Sequence, residues 1–161
     1  MGADMKQKRS FREKLADPKD LPRVQPLTGG MKRRYGPGTI VLPAPEEVDA
    51  LMRKVRKGRV TTINAIRECL ARRHEANVAC PIVTGIHARI AAGAAGEDEA
   101  EGKKRVTPYW RTLKNGGELN AKYPGGLPGQ RRRLEQEGIE VIARGERLFV
   151  RDHEKFLAKL P

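Results

Sequence analysis

The chain has 161 residues, 33 of them Lys or Arg and 20 Asp or Glu, for a formal net charge of +13 and a pI near 10.2. A positive field of that size attracts polyanions. No run approaches the roughly 18 apolar residues that span a bilayer, and no basic helix carries a large-residue apolar face, so a membrane is not the expected partner.

Aromatic residues make up 4% of the chain, so the core must come from Ile, Val, Leu and Ala, which suffices for one domain of about 110 to 120 residues. The N-terminus lacks the apolar stretch that follows the charges of a signal peptide. The expected location is therefore cytoplasmic, and nucleoid-associated if the source is bacterial. Cys69 and Cys80 match no zinc spacing and read as small buried apolar residues. His74, His87 and His153 are scattered and read as surface or helix-packing residues rather than ligands. No cofactor, no metal and no small-molecule substrate is expected.

Residues 1–38 read as a basic extension punctuated by proline and glycine, with a short helix near Ser10–Ala16. Residues 1–36 hold ten Lys and Arg against four acids. This charge reads either as a nucleic-acid arm lying outside the fold or as a solubilising tail. The domain is expected over 39–151. Gly38–Leu42 predicts a short strand, and Val48, Leu51, Met52 and Val55 after Pro45 give an amphipathic helix with acids at its start. Thr62 is a candidate N-cap for a second helix reaching about His74. A third starts near Pro81, where Ile82, Val83, Ile86 and Ile90 give one apolar face. Thr84, Gly85, His87, Ala88 and Arg89 give a small, polar one, suited either to close approach to a groove or to close helix packing. The acidic stretch Gly96–Gly102 reads as an exposed helix end.

Leu127–Glu137 predicts a further helix ended by Gly138, followed by a hairpin of Ile139–Ile142 and Arg147–Val150. Residues 152–161 form a short final helix with Asp152 as its cap. The fold class is thus mainly α with a small β-hairpin, a winged helix-turn-helix-like domain whose third helix is the natural recognition element.

Thr107-Pro108-Tyr109-Trp110-Arg111, then Tyr123-Pro124-Gly125-Gly126, then Leu134-Glu135-Gln136-Glu137-Gly138 form an ordered set of motifs. Together with Lys57-Gly58-Arg59-Val60 and Val83-Thr84-Gly85, this set resembles the alkylguanine-DNA alkyltransferase family, also called methylated-DNA-protein-cysteine methyltransferases. The resemblance runs from Pro43 to Ile142. In that family the first motif reads proline, cysteine, histidine, arginine, and the cysteine accepts the alkyl group. Here Tyr109 stands at the cysteine position, and a phenol with a reference pKa near 10 is a weak nucleophile at neutral pH. The histidine that relays the thiol proton is replaced by Trp110, which donates a hydrogen bond but is no base. The resemblance is therefore to the alkyltransferase-like branch, which binds alkylated guanine without repairing it.

That resemblance implies a non-catalytic protein that binds double-stranded DNA and recognises alkylated guanine for DNA repair, with other repair proteins as candidate further partners. The alternative is a general nucleic-acid-binding or regulatory protein of the same fold that has lost lesion recognition. The implied base pocket comprises Pro108, Tyr109, Trp110, Arg111, Tyr123, Gly125, Gly126 and Glu137, with the Trp110 indole donating to Glu137 in place of a proton relay. Read without the resemblance, Tyr109 and Trp110 fill the core beneath the wing. Candidate DNA contacts are Arg53, Arg56, Lys57 and Arg59, and on the third helix Thr84, Gly85, His87, Ala88 and Arg89. Three features depart from the family pattern. Ile63 stands where a tyrosine presses on the phosphate, Pro81 lies near the position of the arginine finger, and the link from Arg89 to Arg105 is longer.

Overall fold

The computed structural model describes residues 8–161. Ser10 opens α1 (Phe11–Ala16): its hydroxyl accepts from the Glu13 amide at 3.1 Å and the Glu13 carboxylate reaches back to the Ser10 N–H, a capping box that pairs two otherwise orphaned amides. β1 (Arg23–Pro26) runs antiparallel to β2 (Thr39–Leu42), and α2 (Gly29–Tyr35) fills the connection between them. In α3 (Pro45–Arg53) the proline occupies the first turn, where its missing N–H costs nothing, and Glu47 accepts from the Ala44 amide at 2.9 Å. β3 (Thr61–Thr62) leads into α4 (Ile63–Arg73), and Thr62 caps it as the sequence predicts, accepting from the Ala65 amide at 3.1 Å.

β4 (Val78–Ala79) pairs parallel to β2, completing a sheet of order β1-β2-β4. The long helix α5 (Pro81–Ala100) follows. β5 (Thr112–Leu113) pairs parallel to β3, and α6 (Gly126–Gln136) ends at Gly138, whose φ of 80° lets the chain turn out of the helix. β6 (Val141–Arg144) and β7 (Arg147–Val150) form the expected hairpin. The last turn, His153–Phe156, is a 3-10 turn, and Asp152 gives it no side-chain cap. Among the described residues no helix is long and apolar enough to cross a membrane.

The main core lies between α3, α4 and α5, with Val48, Leu51, Met52, Ile66, Leu70, Ala88, Ala91, Ala92 and Ala95 all buried. A second core under the hairpin holds Val60, Leu113, Leu119, Leu134, Ile139, Val141 and Val150, and Trp110 packs on both. A third, smaller core of Leu27, Ile40 and Cys80 is flanked by Met31, Tyr35, Leu42, Val78 and Val83. Cys69 and Cys80 are buried free thiols.

Two expectations are corrected. The basic segment is not outside the fold. Residues 8–38 pack on the domain: the Phe11 ring fills the space over Gly93, where a Cβ would lie 2.3 Å from it. The Glu97 carboxylate accepts from the Phe11 and Arg12 amides at 3.0 and 2.9 Å. The acidic stretch is accordingly a solvated helix end only in part: Gly96–Glu99 in the last turns of α5 are half-buried where α1 docks, whereas Ala100–Gly102 are exposed. Glu101 pairs with Arg12 at 2.6 Å.

The second correction is the facing of α5, where the small-residue face serves the second of its two expected uses, close helix packing, and the apolar face is the one turned partly outward. Thr84, His87 and Ala88 are almost wholly buried, whereas Ile82 is 63% and Ile86 50% exposed. A face of small side chains lets neighbouring helices approach closely, and dispersion contacts at close packing outweigh the burial of two isoleucines at the rim. The Thr84 hydroxyl is satisfied by donating to the Cys80 carbonyl at 2.7 Å.

Candidate functional site

Glu137, at the C-terminal end of α6, gathers four donors. The Trp110 indole N–H donates to it at 2.8 Å, Arg111 donates through Nε and Nη2 at 2.8 to 3.0 Å, and the Gly58 amide donates at 3.0 Å. The expected Trp110 to Glu137 bond is therefore present. Burial by itself raises the carboxyl pKa, but the hydrogen bonds from Arg111, Gly58 and Trp110 prevail and hold it below the usual carboxylate range. Arg111 also donates to the Val55 carbonyl at 2.8 Å. The carboxylate is fully occupied by a guanidinium, an amide and an indole, none of which can take a proton.

The segment carrying Trp110 is fixed at both ends. Thr107 donates to Asp49 at 2.5 Å in a buried contact, and buried Gln130 donates to the Trp110 carbonyl at 3.2 Å while accepting from the Asn120 amide at 2.8 Å. Gly125 and Gly126 form the turn after Tyr123, with φ of 83° and 62°. A Cβ on Gly125 would stand 3.3 Å from the Gly129 backbone, so this close approach requires glycine.

Tyr109 and Tyr123 are brought together inside the main core, 3% and 2% exposed. Their ring centroids lie 5.9 Å apart, nearly perpendicular, and Trp110 meets Tyr109 edge to face at 5.3 Å. Burial raises the pKa of both phenols, and for Tyr109 neighbouring Glu99 adds to it while Arg133 partly offsets it. Neither phenol ionises at neutral pH. Tyr109 has only long contacts at its hydroxyl, 3.4 Å to Glu99 and 3.5 Å to the Pro124 carbonyl, and the Tyr123 hydroxyl is buried without a partner. Of the eight pocket residues inferred from sequence, Pro108, Tyr109 and Tyr123 are buried, and Trp110, Arg111 and Glu137 are half-buried.

Sequence reading missed Arg133. Its guanidinium stacks 4.3 Å from the Trp110 ring centroid, lies 5.5 Å from that of Tyr109, and pairs with Glu99 at 2.5 Å. The signal was the Arg131-Arg132-Arg133 run on a helix whose inner face also carries Leu134 and Gln130. With Lys57, Trp110, Arg111, Arg132, Gln136 and Glu137, Arg133 lines an open groove of about 490 Å³.

The candidate phosphate contacts fall into separate places. Arg53, Arg56 and Arg59 line a cleft of about 710 Å³ shared with Leu157, Ala158 and Lys159, and Lys57 lines the Trp110 groove. On α5, Arg89 is exposed and Gly85 partly so, but Thr84, His87 and Ala88 face inward and offer nothing to a groove. His87 Nδ1 is buried without a partner, and burial, with Lys19 adding to it, lowers the imidazole pKa to about 4. The outer edge of α5 is instead Ile82, Gly85, Ile86 and Arg89. Among the described residues no group of three or more His, Cys, Asp or Glu side chains is placed to hold a metal ion.

No protein-family model matches the chain, and no curated protein does. A solved structure does match: S. pombe Atl1 in complex with damaged DNA containing O6-carboxymethylguanine, with a TM-score of 0.50 and 17% identity, over 71% of this chain and 94% of that one. This chain shares the fold of Atl1. At 17% identity the likeness is one of fold alone, in agreement with the helical domain and hairpin expected from sequence.

Proposed function

We propose that this chain is a non-catalytic protein that binds double-stranded DNA and recognises alkylated guanine without removing the alkyl group. What supports the reading is the state of the two groups that the resemblance assigns to transfer. Tyr109, at the acceptor position by that resemblance, is a buried, un-ionised phenol, and Glu137 is saturated by Arg111, Trp110 and Gly58. Alkyl transfer needs an ionised nucleophile and a base to receive its proton. Neither group is in that state. The fold likeness to a protein bound to damaged DNA and the net charge of +13 support the DNA partner.

In this reading the outer edge of α5 meets the duplex. Ile82 and Ile86 offer apolar side chains of the kind that enter a minor groove and unstack a base step, with Arg89 beside them for phosphate. Admitting an extruded base to the aromatic site requires the contact between Tyr109 and Tyr123 to open, and stacking of about 1 to 3 kcal/mol per base offsets that loss.

The test is incubation with a duplex carrying one guanine labelled in its alkyl group. The label is expected to stay on the DNA and the protein mass to stay unchanged, while the duplex is retained by the protein. Label on the protein would refute the reading. Tyr109→Ala is an unsuitable probe of the site, because emptying a core aromatic position costs about 3 to 5 kcal/mol. Tyr109→Phe keeps the ring and removes only the long hydroxyl contacts.

A further inference from the structure

The cations of residues 23–42 belong to a folded unit seated against the first turn of α5. β1 pairs with β2, and α2 turns its Met31 and Tyr35 side chains into the small core that also takes in Cys80 and Val83 at the start of α5. The seat is fixed on its other side by Asn77, whose side-chain oxygen accepts from the Thr39 amide at 2.9 Å. That leaves Lys32, Arg33 and Arg34 exposed on α2, and Arg23 exposed on β1. From Leu21 to Pro45 the sequence holds no Asp or Glu. Among the described residues none of these four cations forms an ion pair with an acid.

A fifth cation joins them from α4. Arg67 is held by neutral partners only, donating to the Ala79 carbonyl at 2.9 Å, the Asn64 side chain at 2.8 Å and the Tyr35 hydroxyl at 3.3 Å. Its guanidinium lies 5.7 Å from the Tyr35 ring centroid, and that of Arg34 lies 5.3 Å from the same ring. One aromatic ring thus draws two guanidiniums from two elements together without a carboxylate between them. Like charges so placed repel, and an anion held between them relieves that repulsion. Some other surface cations of the chain are neutralised, as Arg12 is by Glu101, Arg147 by Glu118 and Arg131 by Glu135.

We propose that the β1–α2 unit, with Lys32, Arg33, Arg34 and Arg67, is a docked phosphate clamp that grips the backbone of duplex DNA flanking the stretch met by the outer edge of α5. It rests on the DNA-binding reading above and extends it, because that reading alone does not require a second contact surface. The Atl1 match covers nearly all of that chain but leaves more than a quarter of this one unmatched, so this chain carries added structure on the shared fold. A clamp of this kind reads no bases. It strengthens binding equally to damaged and undamaged duplexes and lengthens the footprint.

The experiment measures affinity against salt for the full chain and two triple variants, on a 12-base-pair and a 24-base-pair duplex, each with and without an alkylated guanine. The first variant is Lys32→Gln, Arg33→Gln, Arg34→Gln. The second removes the same charge at the far end of α5, roughly 30 Å away by helix length, as Lys103→Gln, Lys104→Gln, Arg105→Gln. The clamp predicts that the first variant flattens the salt dependence on the longer duplex by about 2 to 3 in log–log slope, at ~0.9 per released phosphate contact. Its effect on the shorter duplex should be smaller, lesion preference should be unchanged, and the second variant should have much less effect. An unchanged slope in the first variant, or equal losses in both, overturns the clamp while leaving DNA binding in place. A wild-type chain that binds no duplex overturns the clamp and the DNA-binding reading together.

Discussion

The Glu137 network and the start of α5 are built on opposite principles. Around Glu137, the inner charges are matched: Arg111 is 14% and Glu137 7% exposed at the side chain, and Trp110, Gly58 and Val55 complete the hydrogen bonding. Around the start of α5, large apolar side chains stand in solvent and cations stand together without acids. A matched, half-buried network rigidifies a domain but has no capacity left for chemistry. An unmatched surface contributes little to folding and keeps its interactions for a partner. In this chain the Glu137 network is part of the scaffold, and the unmatched side chains lie on the outside.

The largest effect expected from breaking that contrast is at Glu137. Glu137→Ala leaves Arg111 as an uncompensated buried charge and orphans the Trp110 N–H, at a cost of about 3 to 5 kcal/mol in urea unfolding. Acid acts on the same group. A carboxyl with a lowered folded pKa contributes stability above its unfolded pKa of about 4.3 and loses it as pH falls through the folded value.

His87 gives the next effect and a different window. Its imidazole is held neutral down to about pH 4, whereas the unfolded chain takes up the proton near pH 6.5. Stability should therefore fall between pH 6.5 and 4 by roughly 3 kcal/mol. His87→Met should flatten that part of the profile in chemical unfolding at stepped pH. If both proteins lose stability in parallel over the window, burial of His87 is not its cause.

Gly93 tests the docking of α1. Gly93→Ala forces a Cβ into the Phe11 ring and should cost about 1 to 3 kcal/mol. The cost should shrink in a Phe11→Ala background, and additivity of the two would mean that the ring does not occupy that seat. Smallest of all are changes on the open surface. Ile86→Ser and Arg89→Gln should each shift stability by less than ~0.5 kcal/mol while weakening duplex binding.

What the sequence made legible followed from local chemistry. Thr62 announced its cap, Pro45 its first turn, Gly138 its helix stop, and the alternation of Arg147–Val150 its hairpin. The Trp110 to Glu137 bond was legible through the order of the motifs. The two-residue strands Thr61–Thr62, Val78–Ala79 and Thr112–Leu113 were not, because pairs that short carry no period. The facing of α5 was misread because a helix of isoleucines, alanines and glycines is nearly apolar all round, and tertiary packing rather than hydropathy decides which side turns inward. The placement of residues 8–38 was missed because their charge suggested a tail, while the acids that receive α1 lie some 85 residues away in sequence.

The measurement that tests the central claim most directly is equilibrium competition at about 0.15 M salt between duplexes identical except for one O6-alkylated guanine, a fixed ionic strength because phosphate contacts make affinity salt-dependent. The account predicts at least a tenfold preference for the damaged duplex, about 1.4 kcal/mol, retained in Tyr109→Phe. Equal affinity for the two duplexes would contradict it and would mean that the closed Tyr109 and Tyr123 contact never opens to a base.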